Sequence, residues 1–166
     1  KKFTIESHYS KYVVCKICGH FNGLFEDTDE FNKKVYSNSS KQNLYNFYKN
    51  NYNERCKKIY YPKLNFLKKI LNNKKFDLSD FGCGAGHFLK VCRKSKIKCK
   101  GYEFNGNSVE LGNKFLRANI IKKVRINDIY DEIAKSEAKV ISLLGVIEHL
   151  KYPNKVFDSF RKSSSS

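Results

Sequence analysis

Three glycines at alternate positions, Gly82, Gly84 and Gly86, constrain this chain most. They come after a short, mostly apolar segment, Phe76-Asp77-Leu78-Ser79-Asp80-Phe81, and precede a helical pattern carried by Phe88, Leu89 and Cys92. Glycines at such a junction let the backbone turn tightly from strand into helix and leave no Cβ in the way of a ligand. The helix start beyond them offers unpaired N–H groups and a partial positive charge. Strand, glycine loop and helix together make a cradle of nucleotide shape.

A glycine-rich loop alone is a weak signal, and the residues downstream of it decide the matter. Residues 97–104 read as a second strand, and Glu103 near its end lies 21 positions after Gly82. That is close to the ~20-residue offset at which an acidic side chain meets a ribose hydroxyl in βαβ nucleotide folds. The dinucleotide fingerprint places glycine at its first, third and sixth positions. Counted from Gly82, the fifth position is Gly86 and the sixth is His87, which argues against a nicotinamide enzyme.

Asp80 with Gly82-Cys83-Gly84-Ala85-Gly86 after it resembles motif I of the class I S-adenosylmethionine-dependent methyltransferases. The resemblance runs over about residues 60–162, with its parts in the family's order. It implies an α/β fold, a Rossmann-like doubly wound and mainly parallel sheet, with S-adenosyl-L-methionine as cofactor. Gly82, Cys83, Gly84 and Gly86 would pass under the methionine and ribose parts, and Asp80 would sit below the loop. Glu103, with Phe104 beside it, would take the ribose hydroxyls. Asn127-Asp128-Ile129 is similar to the family's adenine contact, with Asp128 accepting from the amino group and Ile129 against the ring. Residues 141–150 resemble the family's fourth-strand motif, which puts Leu144 and Gly145 beside the sulfonium. Glu148 and His149, just past that strand, are the catalytic candidates. His149 is a general base only if the acceptor must lose a proton; the family more often uses that histidine to hold the loop. His87 reads as structural.

The cysteines divide into two groups. Cys83, Cys92 and Cys99 fall in the glycine loop, the first helix and the second strand, where small buried residues are expected, and no disulfide framework is indicated. Cys15-Lys16-Ile17-Cys18-Gly19-His20 has the C-x-x-C-G spacing of a knuckle that presents two thiolates to zinc. Four ligands are needed. His20 and Cys56 are weak candidates for the others, and the simplest source of a second pair is a segment before Lys1. Reduced, metal-free cysteines are the alternative. Methyltransferases that join a zinc ribbon to a catalytic domain are similar in layout.

The formal net charge of +17 invites a nucleic-acid partner. Only five of the 33 basic residues are arginine, the better reader of phosphate and guanine, and the lysines are spread through every segment. Compositional bias explains the charge more simply, so nucleic acid is a possible partner but not the favoured one. No apolar run approaches the ~20 residues of a membrane span and no signal peptide is visible, so no membrane partner and a cytoplasmic location are expected.

In order, residues 3–14 read as two short strands or a hairpin, and 21–40 as a polar linker with a solvated acidic run at 26–30 and a serine-rich break at 37–40. Residues 42–52 carry Leu44, Tyr45, Phe47, Tyr48 and Tyr52, a stripe read as the packed face of a helix over the ligand cleft in preference to a base-stacking surface. Residues 54–72 read as a helix, continuous from Pro62, with Leu64, Leu67, Ile70 and Leu71 on one face and Asn72-Asn73 ending it. Ser108 is the expected N-cap of the next helix. Residues 120–126 and 139–144 are the third and fourth strands, with a short helix at 129–136 between them. Pro153 opens a last helix with Val156, Phe157 and Phe160 inward.

Two domains are expected: a zinc-ribbon-like segment and linker at 1–40, and a cofactor-binding methyltransferase domain at 41–166. The chain contains no methionine, and only four of the family's seven strands are legible, so truncation at both ends is expected. The expected acceptor is a small molecule, by analogy with enzymes that methylate nucleotide-linked sugars or polysaccharide precursors. An RNA methyltransferase and a non-catalytic cofactor-binding relic are the alternatives.

Overall fold

The computed structural model describes residues 3–6, 11–19, 21–23 and 41–163. His20, the acidic run at 26–30, the break at 37–40 and the side chain of Leu44 lie outside the described residues. The chain divides into two units, Lys1–Val35 and Tyr36–Ser166.

In the first unit, β1 (Phe3–Glu6), β2 (Lys11–Val14) and β3 (Phe21–Gly23) form an antiparallel sheet in that order. Phe3 pairs with Val14 and Glu6 with Lys11, the register of the expected hairpin. Between β2 and β3, the Gly19 amide donates to the Cys15 carbonyl at 2.8 Å, with Gly19 in the left-handed region at φ 70°.

The second unit opens with α1 (Lys41–Arg55), a π-helical turn (Cys56–Tyr60) and α2 (Tyr61–Ile70), which run on from one another. The helix therefore starts well before Pro62. Proline lacks the N–H that would bond one turn back, and the preceding turn widens around it. The Tyr61 amide donates to the Cys56 carbonyl, five residues back. Ile70 faces solvent at 59% exposure, not the core side expected for it, while Leu64 is fully buried. Asn72 and Asn73, both left-handed, end the helix as expected, and the Asn73 amide returns to the Lys68 carbonyl at 2.8 Å.

Four parallel strands come next: β4 (Leu78–Phe81), β5 (Cys99–Glu103), β6 (Ile121–Lys123) and β7 (Val140–Ser142), in spatial order β6-β5-β4-β7. Each is joined to the next through a helix: α3 (His87–Lys94), α4 (Gly106–Leu116) and α5 (Ile129–Ala134). This is the Rossmann-like α/β arrangement, and the order reverses between β4 and β7, the crevice where such sheets bind ligands. Alternation along the strands feeds two apolar clusters. Leu78 and Cys99 join Leu64, Leu89 and Cys92 in one, and Phe81 joins Ile129, Ile133 and Val156 in the other. All four cysteines of this unit are buried.

Several boundaries differ from those the sequence suggested. β6 and β7 have three residues each, because β6 gives way to a 3₁₀ turn (Ile126–Asp128) and β7 bonds only to β4 in this sheet. Asn105, not Ser108, caps α4; its side-chain oxygen accepts from the Asn107 and Ser108 amides at 2.9 and 3.1 Å. The last helix, α6 (Asn154–Ser163), buries Val156 and Ser159 but leaves Phe157 58% exposed. It packs on the six-residue α5, which covers little more than one turn of it.

Candidate cofactor site

Residues 82–86 connect β4 to α3, and all three glycines have positive φ (74°, 54° and 76°). Their surroundings differ. A Cβ at Gly82 would overlap Cγ2 of Val146, which reaches across from the segment after β7. A Cβ at Gly86 would stand 2.8 Å from Leu116 Cδ1. At Gly84 the one atom nearby, among the described residues, is Tyr48 Oη at 3.5 Å. Packing therefore demands glycine at the two outer positions, and only the middle one leaves backbone open to an approaching molecule. Gly112 on α4, which the sequence alone did not single out, lets that helix rest on the loop, its Cβ position 3.1 Å from the Ala85 carbonyl carbon.

Hydrogen bonds fix the loop further. The Gly82 and Cys83 amides donate to the Tyr102 carbonyl at 2.7 and 3.2 Å, and Tyr52 Oη donates to the Ala85 carbonyl at 3.0 Å. Glu103, 8% exposed at the end of β5, ties loop and strand together. Its Oε2 accepts from the Gly84 amide at 2.7 Å, and Oε1 accepts from the Phe104 and Asn105 amides at 2.8 and 2.9 Å. Burial raises its pKa and the three amides oppose the rise. A carboxylate oxygen has room for about two donors, so Oε2 retains capacity for one more.

Asp80 lies 3% exposed beneath the loop. Ser142 of β7 donates to its Oδ1 at 2.6 Å. Burial pushes the carboxyl up to about 7, and the nearby Glu103 charge adds to the rise. Among the described residues, neither Asp80 nor Glu103 forms an ion pair with a lysine or arginine, although the chain carries 33 basic residues. Two acids are thus buried at the adjoining ends of β4 and β5 in a strongly basic chain.

Helix α1 roofs the loop. His87, the first residue of α3, is 3% exposed and sits among Tyr52, Tyr48 and Tyr60, with ring centroids 4.3, 5.4 and 5.5 Å away. Its Nε2 has no hydrogen-bond partner among the described residues, and burial lowers its pKa to about 4, so the ring is neutral at ordinary pH. This fits the structural role expected for His87. The expected packed stripe is present for Tyr52, which is buried, and Tyr45, which stacks on Phe115 at 6.0 Å; Phe47 is half exposed.

Residues 49–165, well over half of the chain, match the family model for a methyltransferase domain. The chain belongs to this methyltransferase family. No curated protein matches it.

The remaining candidates of this methyltransferase are distributed unevenly. Cys83 is buried, with Sγ pressed toward Gly101, and burial raises its thiol pKa far above the ordinary value. Asp128 holds a two-point ion pair with Arg125, Nε to Oδ2 at 2.7 Å and Nη2 to Oδ1 at 3.1 Å. An adenine amino group at Asp128 would have to share that carboxylate. Ile129 is fully buried against the second apolar cluster and presents no side-chain surface. Phe104 is half-buried beside the same cluster, and Leu144 packs on the first. Gly145 is exposed with φ 73°, its Cβ position 3.9 Å from Glu148 Oε1. Glu148 is exposed and His149 half-buried, both on a 3₁₀ turn (Ile147–His149).

The structure thus gathers Asp80, Gly82, Cys83, Gly84, Gly86 and Glu103 at the adjoining ends of β4 and β5, and leaves Asp128 engaged elsewhere. Ser142, Val146, Tyr52 and Gly112 support the loop but were not legible as site residues in the sequence. Their signals were membership of the 141–150 motif for Ser142 and Val146 and of the aromatic stripe for Tyr52.

Cys15 and Cys18 belong to the first unit, half-buried and exposed respectively. The Cys18 and Ile17 amides donate toward the Cys15 sulfur and lower its pKa, as a knuckle does. Among the described residues, no group of three or more His, Cys, Asp or Glu side chains is placed to hold a metal. The zinc-ribbon expectation therefore rests on the Cys15–Cys18 turn alone.

Proposed function

We propose that this methyltransferase uses S-adenosyl-L-methionine and transfers the methyl group to a small-molecule acceptor, a nucleotide-linked sugar or polysaccharide precursor. The buried pair Asp80 and Glu103, without a basic partner beneath the one open glycine, carries the reading. Burying a carboxylate is costly unless a cation or donors compensate it, and S-adenosylmethionine brings a sulfonium, an ammonium and two ribose hydroxyls. Glu103 Oε2 would accept from a ribose hydroxyl while still holding the Gly84 amide. Asp80 would answer the positive charge from below the loop. The bound cofactor supplies an electrophilic methyl group on sulfur, and the chain's share is to hold and align it. Glu148 and His149 are the residues in this reading that would meet the acceptor.

A localised basic face beside the cradle would favour RNA; the cradle's own groups are acidic and its lysines dispersed, which supports the small acceptor. In the first unit, Cys15 and Cys18 would supply half of a structural zinc site.

Calorimetric titration with S-adenosylhomocysteine tests the cofactor. Saturable binding that Glu103→Ala abolishes is expected, and a folded chain that binds none would overturn the assignment.

A further inference from the structure

Tyr48 stands over the middle of the cradle. Its Oη is 3.5 Å from the Cβ position of Gly84, the one loop glycine not closed by packing, so among the described residues it is the nearest protein atom on that side. The ring is braced from behind, 5.4 Å from His87 and edge-on to Phe47 at 5.3 Å. Burial raises the phenol pKa, a side-chain interaction with Ser108 opposes the rise and the Glu103 charge adds to it, so Tyr48 keeps its proton. The protonated phenol has an O–H to donate.

The cradle thus sets an acceptor, Glu103 Oε2, and a donor, Tyr48 O–H, around the open Gly84 backbone. A hydroxyl group satisfies both, because it donates one hydrogen bond while accepting others. We infer that Tyr48 is a cofactor-binding residue that donates to a ribose hydroxyl whose own proton goes to Glu103. The inference rests on the cofactor reading above and adds a contact that neither the glycine motif nor Glu103 provides.

The test compares wild type and Tyr48→Phe in calorimetric titrations with S-adenosylhomocysteine and its 2′-deoxy and 3′-deoxy analogues. Phenylalanine keeps the ring against His87, and an unchanged melting temperature checks that the roof is intact. With the full ribose, Tyr48→Phe is expected to weaken binding about tenfold. With one of the two deoxy analogues the penalty should vanish, since the hydroxyl that Tyr48 reads is gone. Equal penalties for all three ligands, or none with the full ribose, would overturn the inference while leaving the cofactor assignment standing. No binding by folded wild type would overturn both.

Discussion

The segments that leave β4 and β7 start side by side, at the same ends of neighbouring parallel strands, yet they are built differently. The loop after β4 is fixed by side-chain contact at Gly82 and Gly86, by the Tyr102 carbonyl, by Glu103 and by the Tyr52 hydroxyl. The turn after β7 carries an exposed Gly145 and Glu148 and anchors itself mainly through Val146 and Leu150. The first is a loop fixed on several sides around one open glycine, and the second is a more open turn that carries Glu148 and His149. A transferase that works by alignment needs the first kind of segment more than the second.

The strongest way to break this contrast is at its joint. Gly82→Val places a branched side chain where Val146 already stands and forces positive φ on it. A loss of about 3 kcal/mol or more is expected, large beside the 5–15 kcal/mol that hold a domain together. Chemical denaturation would show it, and a Val146→Ala partner change should recover part of the loss. A value of Gly82→Val near wild type would mean the loops do not lean on each other.

Next in size is Glu103→Gln. It keeps an acceptor for one side of the loop but donates where the Phe104 or Gly84 amide also donates. A stability loss of about 1–2 kcal/mol is expected, along with loss of most S-adenosylhomocysteine affinity. Binding undiminished by the amide would place the ribose elsewhere.

Asp80 sharpens the comparison through pH. Its carboxyl is raised from 3.8 to about 7, so between those values the folded chain holds a proton that the unfolded chain has released. Its contribution to stability therefore declines as pH climbs through that window. His87, lowered from 6.5 to about 4, slopes the other way: stability falls as pH drops from 6.5 toward 4. Asp80→Asn should melt several degrees higher than wild type at pH 8, with the difference shrinking as pH falls through about 7 toward 3.8, while losing cofactor affinity at pH 8. If a cationic ligand answers Asp80, wild-type affinity for S-adenosylmethionine should strengthen from pH 5.5 to pH 8, and the asparagine variant should be flat.

The smallest effect is expected beyond β7. Glu148→Gln and His149→Ala should leave S-adenosylhomocysteine affinity within about twofold of wild type, since neither belongs to the built cradle. A larger change would move those residues from the acceptor side to the cofactor side.

The order of strands and helices in the second unit was legible because its signals are local: β-branched runs, a glycine junction and an asparagine pair that ends α2. Glu103 was legible from spacing alone. What stayed hidden depends on contacts between distant segments. Ser142 reaches Asp80 across 62 positions and Tyr52 reaches Ala85 across 33, and neither residue type announces such a partner. The errors in helix faces were of one kind. Ile70 and Phe157 were placed inward because apolar periodicity ranks residues by hydrophobicity, whereas the burial of a helix face is set by how much neighbour it has. Asn105 took the cap from Ser108 because it precedes the first helical residue.

The unequal surroundings of the three loop glycines have a bearing on how such motifs drift. A descendant that stopped handling its ligand would still be held to glycine at Gly82 and Gly86, where positive φ and packing act together. At Gly84 the positive φ alone would remain, so it would be released first. In a lineage of this domain, the outer glycines record ancestry, and the middle one records use.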